Sequence, residues 1–143
     1  MTIEEAKQFK LSQHFTLWEF LKSEKAVEHG LIQDQLDISE DYISNLKMLC
    51  ENVLLPLRKE LGVPIIIRSG FRCNKLNKKV GGANTSDHLS GKAADIYIPG
   101  KMQLVFFFIK NRCKFKQLIN EHNLTWIHIA YDKFNNKMEV FDL

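Results

Sequence analysis

Residues Ser86 to Ile98 read SDHLSGKAADIYI. The second half, AADIYI, alternates as a strand does, so Asp95 and Tyr97 share one face while Ile96 and Ile98 share the other. A later stretch, TWIHIAY from Thr125 to Tyr131, alternates in the same way. It sets Trp126, His128 and Ala130 on one face and Ile127, Ile129 and Tyr131 on the other. Each strand thus has an apolar face for a core and turns one metal-capable side chain to the opposite face. If the two strands pair, Asp95 and His128 converge. His88 comes from the loop just before Asp95, and Gly91 lets that loop fold back. Two histidines and one carboxylate are a common catalytic zinc set with a fourth position for water. Bound zinc brings the pKa of such water toward neutrality and polarises a carbonyl. On spacing alone, each histidine has an open alternative as a hydrogen-bonded core residue.

Working outward, the chain has 143 residues, 45% of them hydrophobic and 26% charged, which suits one soluble globular domain over 1–143. The first 35 residues read as a helical extension of it. The net charge of +3 is too mild to argue for nucleic acid, though it would not hinder approach to an anionic polymer such as a cell wall. Cys50, Cys73 and Cys113 are odd in number and widely spaced, which argues for reduced thiols rather than a disulfide framework or a zinc finger. The longest apolar run, Leu104 to Ile109, is six residues, against the ~20 needed to span a bilayer. The polar N-terminus, MTIEEAKQFK, lacks the apolar stretch of a signal peptide. The expectation is a cytoplasmic product, a monomer without membrane insertion, that acts outside only after export or release.

Helix signals dominate the first third. Thr16 with Glu19 forms a capping-box pattern that predicts a helix from Leu17 to about His29, ended by Gly30. Ser39 caps a longer helix whose buried stripe runs Ile43, Leu46, Cys50, Val53, Leu54, Leu57 and Leu61. Pro56 should kink that helix, and Gly62 and Pro64 should end it. PIIIRSGFR reads as a short strand turning at Gly70, with a brief helix around Lys75 to Val80. KMQLVFFFIKNRC reads as a helix packed on the sheet, with Phe106, Phe107 and Phe108 in the core. FKQLI, TWIHIAY and KMEVFDL read as strands, the last at an edge. Helices first and strands later predict an α+β fold, N-terminal helices packed on a small, mainly antiparallel sheet.

SDHLSGKAAD fits the pattern SxHxxGxAxD at Ser86, His88, Gly91, Ala93 and Asp95. SGFR precedes it at Ser69 to Arg72, and WIHIAY follows about 30 residues after Asp95. Together these resemble the zinc peptidoglycan peptidases of the D-Ala-D-Ala carboxypeptidase and L-alanyl-D-glutamate endopeptidase family, and above all its small single-domain phage and prophage members. LSQHFTLWEF and NLKMLCENVLLPLRKELG look like that subgroup too, so the likeness covers nearly the whole chain. The resemblance implies His88, Asp95 and His128 as ligands of Zn2+. It implies Arg72 as the residue that binds the substrate carbonyl or carboxylate and stabilises the developing oxyanion, a task suited to a guanidinium fork. The substrate it implies is the peptidoglycan stem peptide. Ser86 would support the metal ligands or contact substrate; a plain turn serine is the alternative. Trp126 would line the substrate groove, with a core role as the alternative.

There is one departure. Many family members carry an Asp or Glu three residues before the last histidine as general base, and here that position is Thr125. The nearest carboxylate upstream is Glu121, which would reach the site if the loop from His122 to Leu124 folds back. Asp87 reads as a solvated loop carboxylate, Asp132 as a turn residue, and the basic run Lys110 to Lys116 as a solvated face. The expectation is a zinc peptidase with Glu121 as base. The rival, which Thr125 favours, is a zinc-holding wall-binding or structural module without turnover.

Overall fold

Short polar side chains set where the helices begin. In the computed structural model, which describes Met1–Leu143, Thr2 caps α1 (Ile3–Gln8), and its side chain and that of Glu5 bond each other's backbone amides. A hairpin of β1 (Lys10–Ser12) and β2 (Phe15–Thr16) follows, then three one-turn helices, α2 (Leu17–Leu21), α3 (Glu24–Glu28) and α4 (Ile32–Leu36). The helix expected over Leu17 to His29 is therefore two. Thr16 opens the first, with its amide donating to Glu19 Oε2 at 2.7 Å. Ser23 interrupts it, because its hydroxyl accepts the Ala26 amide and caps a new start. Gly30 ends the second in the left-handed region.

The long helix α5 (Glu40–Leu49) passes through a π-helical turn, Cys50–Leu54, into α6 (Leu55–Leu61). Pro56 has no amide for the carbonyl one turn back, and the widened turn just before it absorbs the mismatch where a sharp break would otherwise form. The expected stripe is buried from Ile43 to Leu57, with Leu61 at its half-buried end.

After α6 come β3 (Ile66–Ser69), α7 (Asn74–Lys79), a 3₁₀ turn (Asp87–Ser90) and β4 (Ala93–Tyr97). They are followed by α8 (Met102–Arg112), β5 (Gln117–Glu121), β6 (Trp126–Ala130) and β7 (Glu139–Asp142). The sheet order is β3-β4-β6-β5-β7. All pairs are antiparallel except β5 with β7 at the edge, so the α+β class and the mainly antiparallel sheet both hold. No helix is long and apolar enough to cross a membrane.

One face of the sheet is the core. Ile67, Ala94, Ile96, Leu118, Ile127 and Ile129 are buried there, in one cluster with Phe15, Phe20, Leu46, Leu54 and Leu57 from the helices. Each leucine, isoleucine or phenylalanine among them contributes about 1.5–3 kcal/mol on burial. Because Ala6, Leu11, Leu17 and Leu36 belong to that same cluster, the first 36 residues share the core of the sheet. The three phenylalanines of α8 are not core as expected. Met102, Val105 and Ile109 make its buried stripe, Phe106 and Phe108 are half-buried beside it, and Phe107 is 66% exposed. Helical spacing explains this, since three consecutive residues cannot share one face.

Candidate metal centre and cleft

The second face of the sheet carries polar groups under a roof of loops. Asp95 of β4 lies directly opposite His128 of β6 and opposite Ser69 of β3, and His128 lies opposite Ile119 of β5. Opposed residues of an antiparallel pair point to the same side. The convergence of Asp95 and His128 expected from alternation is therefore realised in the register itself.

His88 reaches this face from the 3₁₀ turn. Ser86 caps the turn, its hydroxyl accepting the His88 amide at 3.2 Å. Gly91 closes it with φ 71°, and an added Cβ there would sit 2.5 Å from the Tyr42 carbonyl oxygen on α5. Only glycine meets both conditions. The turn is also tied to the β3 end by the Arg72 amide, which donates to the His88 carbonyl at 3.0 Å.

The imidazole of His88 is 2% exposed, with Nδ1 2.6 Å from the Gly70 carbonyl oxygen. A carbonyl only accepts, so Nδ1 carries the proton and Nε2 presents a bare lone pair. That Nε2 is buried without a hydrogen-bond partner and lies 3.3 Å from Asp95 Oδ1. His128 Nδ1 lies 3.0 Å from the same oxygen. A lone pair facing a carboxylate oxygen is repulsive unless a cation, either a proton or a metal ion, lies between them. Ligand atoms about 2.0–2.1 Å from a tetrahedral zinc ion sit about 3.3 Å apart, close to the observed spacings. The three ligand atoms lie within 4.8 Å of one another. Donor type, spacing and the unpartnered nitrogen all fit a metal ion. Burial works against ionisation of Asp95, but its contacts with His128, and with His88 where a proton bridges them, outweigh that and hold its carboxyl well below the usual carboxylate range.

Arg72 stands at the edge of the trio. Its Nε donates to Ser69 Oγ at 3.2 Å and its Nη1 to Asn77 Oδ1 at 3.2 Å, while Nη2 lies 3.6 Å from Asp95 Oδ2. Burial draws its pKa down from the ordinary value and Asp95 draws it up. Two buried amides that the sequence did not single out hold this arginine in place. Asn77, on α7, anchors the guanidinium. Gln35, on α4, donates to the carbonyls of Leu21 and Phe71 and accepts the Cys73 amide, so it grips the chain on both sides of Arg72. Nothing in the sequence marked Gln35 out, since α4 reads IQDQL with Gln33 and Asp34 beside it.

A cavity of about 570 Å³ opens over the trio. Arg72, Ser86, Glu121 and Trp126 all line it with His88, Asp95 and His128. Glu121 arrives by strand pairing. It is the last residue of β5, opposite Trp126 on the metal side of the sheet, and the strand runs two residues beyond the expected FKQLI. The turn that follows, His122 to Leu124, is left-handed at all three residues and closes β5 onto β6. Trp126 is a wall of this cavity and lies off the core face, with the Arg68 guanidinium 5.3 Å and the His122 ring 5.0 Å from its ring centre. Thr125 is turned away, its hydroxyl donating to the His122 carbonyl at 2.6 Å.

Two of the plainer expectations fail here. Asp87 is an ion-pair partner of Lys116 at 2.8 Å, 13% exposed, and both line the cavity. The end of the basic run is thus part of the cleft. Glu139 and Lys137, on and just before β7, also line it and were not anticipated.

Comparison with known proteins agrees with the site. No curated protein matches the sequence. A family model for peptidase M15 matches residues 13–130, a span that holds Arg72, His88, Asp95, Glu121 and His128 and ends at the last residue of β6. With most of its length matched and a metal-fitting His/Asp/His trio within the match, the chain belongs to the peptidase M15 family.

Proposed function

We propose that the protein is a zinc-dependent peptidase that hydrolyses a peptide bond in the stem peptide of peptidoglycan. The observation that carries this reading is the buried, bare Nε2 of His88, facing the Asp95 oxygen that His128 also touches. Membership of the peptidase M15 family supports the peptidase activity. The resemblance of the motifs to peptidoglycan peptidases supports the substrate.

In this reading His88, Asp95 and His128 hold the metal, which when bound acts as a Lewis acid that polarises a carbonyl and acidifies water. Gly70 fixes the His88 ring through Nδ1, which keeps Nε2 available. Arg72 binds the carbonyl of the scissile bond and stabilises the negative charge that develops on its oxygen. Its two anchored nitrogens, Nε and Nη1, hold the guanidinium ready without reorganisation. Glu121 takes the proton of the attacking water and returns it to the leaving amine. Its place on the metal side of the sheet supports that role, which the neutral hydroxyl of Thr125 lacks the basicity to fill. Trp126 walls the groove, and Ser86 holds the turn of His88 at its rim.

A metal-holding module without turnover is the rival, favoured by the Thr125 hydroxyl being engaged in its own turn. Digestion of purified peptidoglycan, with mass analysis of released fragments, separates the two. The zinc-loaded wild type is expected to release peptide fragments. His88→Ala is expected to take up no zinc and release none. Glu121→Gln is expected to keep its zinc and slow by about 10²–10⁴-fold. A wild type that binds zinc and releases nothing would establish the module. Full activity in Glu121→Gln would remove that residue as base.

A further inference from the structure

A second hollow, of about 760 Å³, lies on the far side of Arg72, between the N-terminal helices and β3. Four cations line it, Lys22, Lys25, Arg68 and Arg72, against one carboxylate, Glu24. Its apolar wall includes Trp18, Val27, Ile32 and Val80, and Val27 is 67% exposed. The metal-side cavity has the opposite balance, with Asp87, Asp95, Glu121 and Glu139 against Arg72, Lys116 and Lys137. The two adjoin: Arg72 lines both, and a small hollow bounded by Arg68, Ser69, Asp95 and Trp126 shares lining residues with each.

Two of the four cations on this side, Arg68 and Lys22, have no ion-pair partner, while Arg72 is held by Ser69, Asn77 and Asp95. Arg68 makes no ion pair; it lies over Trp126 and touches only the Thr125 carbonyl, at 3.5 Å. Lys22 has no carboxylate within ion-pair distance, and Lys25 reaches only its helix neighbour Glu28, at the surface. Free cations beside exposed apolar side chains suit a ligand that is partly apolar and carries carboxylates.

We propose that this hollow is an extended subsite for the substrate, receiving the side-chain carboxylates of the same stem peptide whose scissile bond lies at the metal trio. The inference rests on the peptidoglycan reading and deepens it. The bound peptide runs along a trough from the acidic, metal-bearing end past Arg72 to the cationic end. Recognition therefore extends beyond the two residues flanking the cut. Charge complementarity, screened by salt, distinguishes this end from a merely apolar groove.

The test uses a soluble muropeptide with its side-chain carboxylates free, and the same muropeptide with them amidated. Equilibrium binding to the metal-free protein is measured for wild type, Lys22→Glu and Lys25→Glu, and cleavage is followed with zinc-loaded protein. Both lysines are exposed, so the variants should melt as the wild type does. The wild type is expected to bind the free form about tenfold more tightly at low salt, with the preference fading as salt rises. Each lysine variant is expected to lose that preference, and its KM for the free form to rise with kcat unchanged. Equal affinity for the two forms, or a preference that survives in both variants, overturns the subsite. Cleavage without a preference leaves the peptidase reading standing and removes only the subsite. A lysine-dependent preference without cleavage keeps the subsite and removes the peptidase reading.

Discussion

At Arg72 three partners divide one guanidinium. Ser69 and Asn77 accept from two nitrogens, and Asp95 faces the third. A lysine would bring one mobile charge to a place prepared for a planar fork. Arg72→Lys is therefore expected to retain zinc while kcat/KM falls about a hundredfold, read from zinc content and steady-state cleavage of the same sample. Unchanged kcat/KM would show that the fork does not touch the reacting carbonyl. The arginine itself was legible in SGFR, but only through resemblance. Its anchor Asn77 was not, because an asparagine in the run CNKLNKK looks like any other surface polar residue until the fold buries it.

Among the elements, α4 and the turn after β6 show how short segments hold the site. Gln35 sits on a one-turn helix too short to persist alone. Its amide satisfies two carbonyls and one backbone amide in a fully buried position. Gln35→Leu keeps the volume and leaves those groups unpaired, so a loss of about 3 kcal/mol is expected in urea unfolding. Activity should drop further than stability explains, since Phe71 and Cys73 flank Arg72. A variant as stable as the wild type would contradict the clamp. Past β6, Asp132 accepts from Lys92 Nζ at 2.9 Å and from the Phe134 amide at 3.0 Å, which links the start of β4 to the turn. The hydrogen bond from Lys92, aided by that from Phe134, holds its carboxyl below the ordinary value. The folded pKa is thus lower than the unfolded value of about 3.9. The stabilisation is complete above the unfolded value and disappears as pH falls through the folded one. Asp132→Asn is expected to cost about 1 kcal/mol at neutral pH, the modest figure reflecting a partly exposed pair, and almost nothing in strong acid. Equal losses at both pH values would show that the charge is irrelevant. Asp132 as a turn residue was readable from YDKFNN; its lysine partner, 40 residues earlier, was not.

Across the whole molecule, the sheet separates two tasks. Its apolar side joins the helices in one core, and its other side assembles the trio, Arg72, Glu121 and Trp126 under the loops. Since the trio exists only in the folded chain, a bound metal stabilises that state by mass action. Zinc held at 100–1,000 times its dissociation constant is expected to add about 3–4 kcal/mol, and chelation to lower the melting temperature. The same chelation should leave His88→Ala unaffected. Identical melting of the wild type with and without chelator would rule out a folded-state metal site. The sequence by itself determined the class of fold, most strands and helices, and the face that Asp95 and His128 occupy. Those follow from local periods, caps and one dense motif within a few residues of each other. Only the tertiary structure decided that β5 lies beside β6 and brings Glu121 to the cleft. It alone paired Asp87 with Lys116, set Gln35 and Asn77 behind Arg72, and opened the cationic hollow beyond it. The physical reason is that strand order and long-range hydrogen bonds depend on which segments become neighbours, and no period within a segment encodes its neighbour.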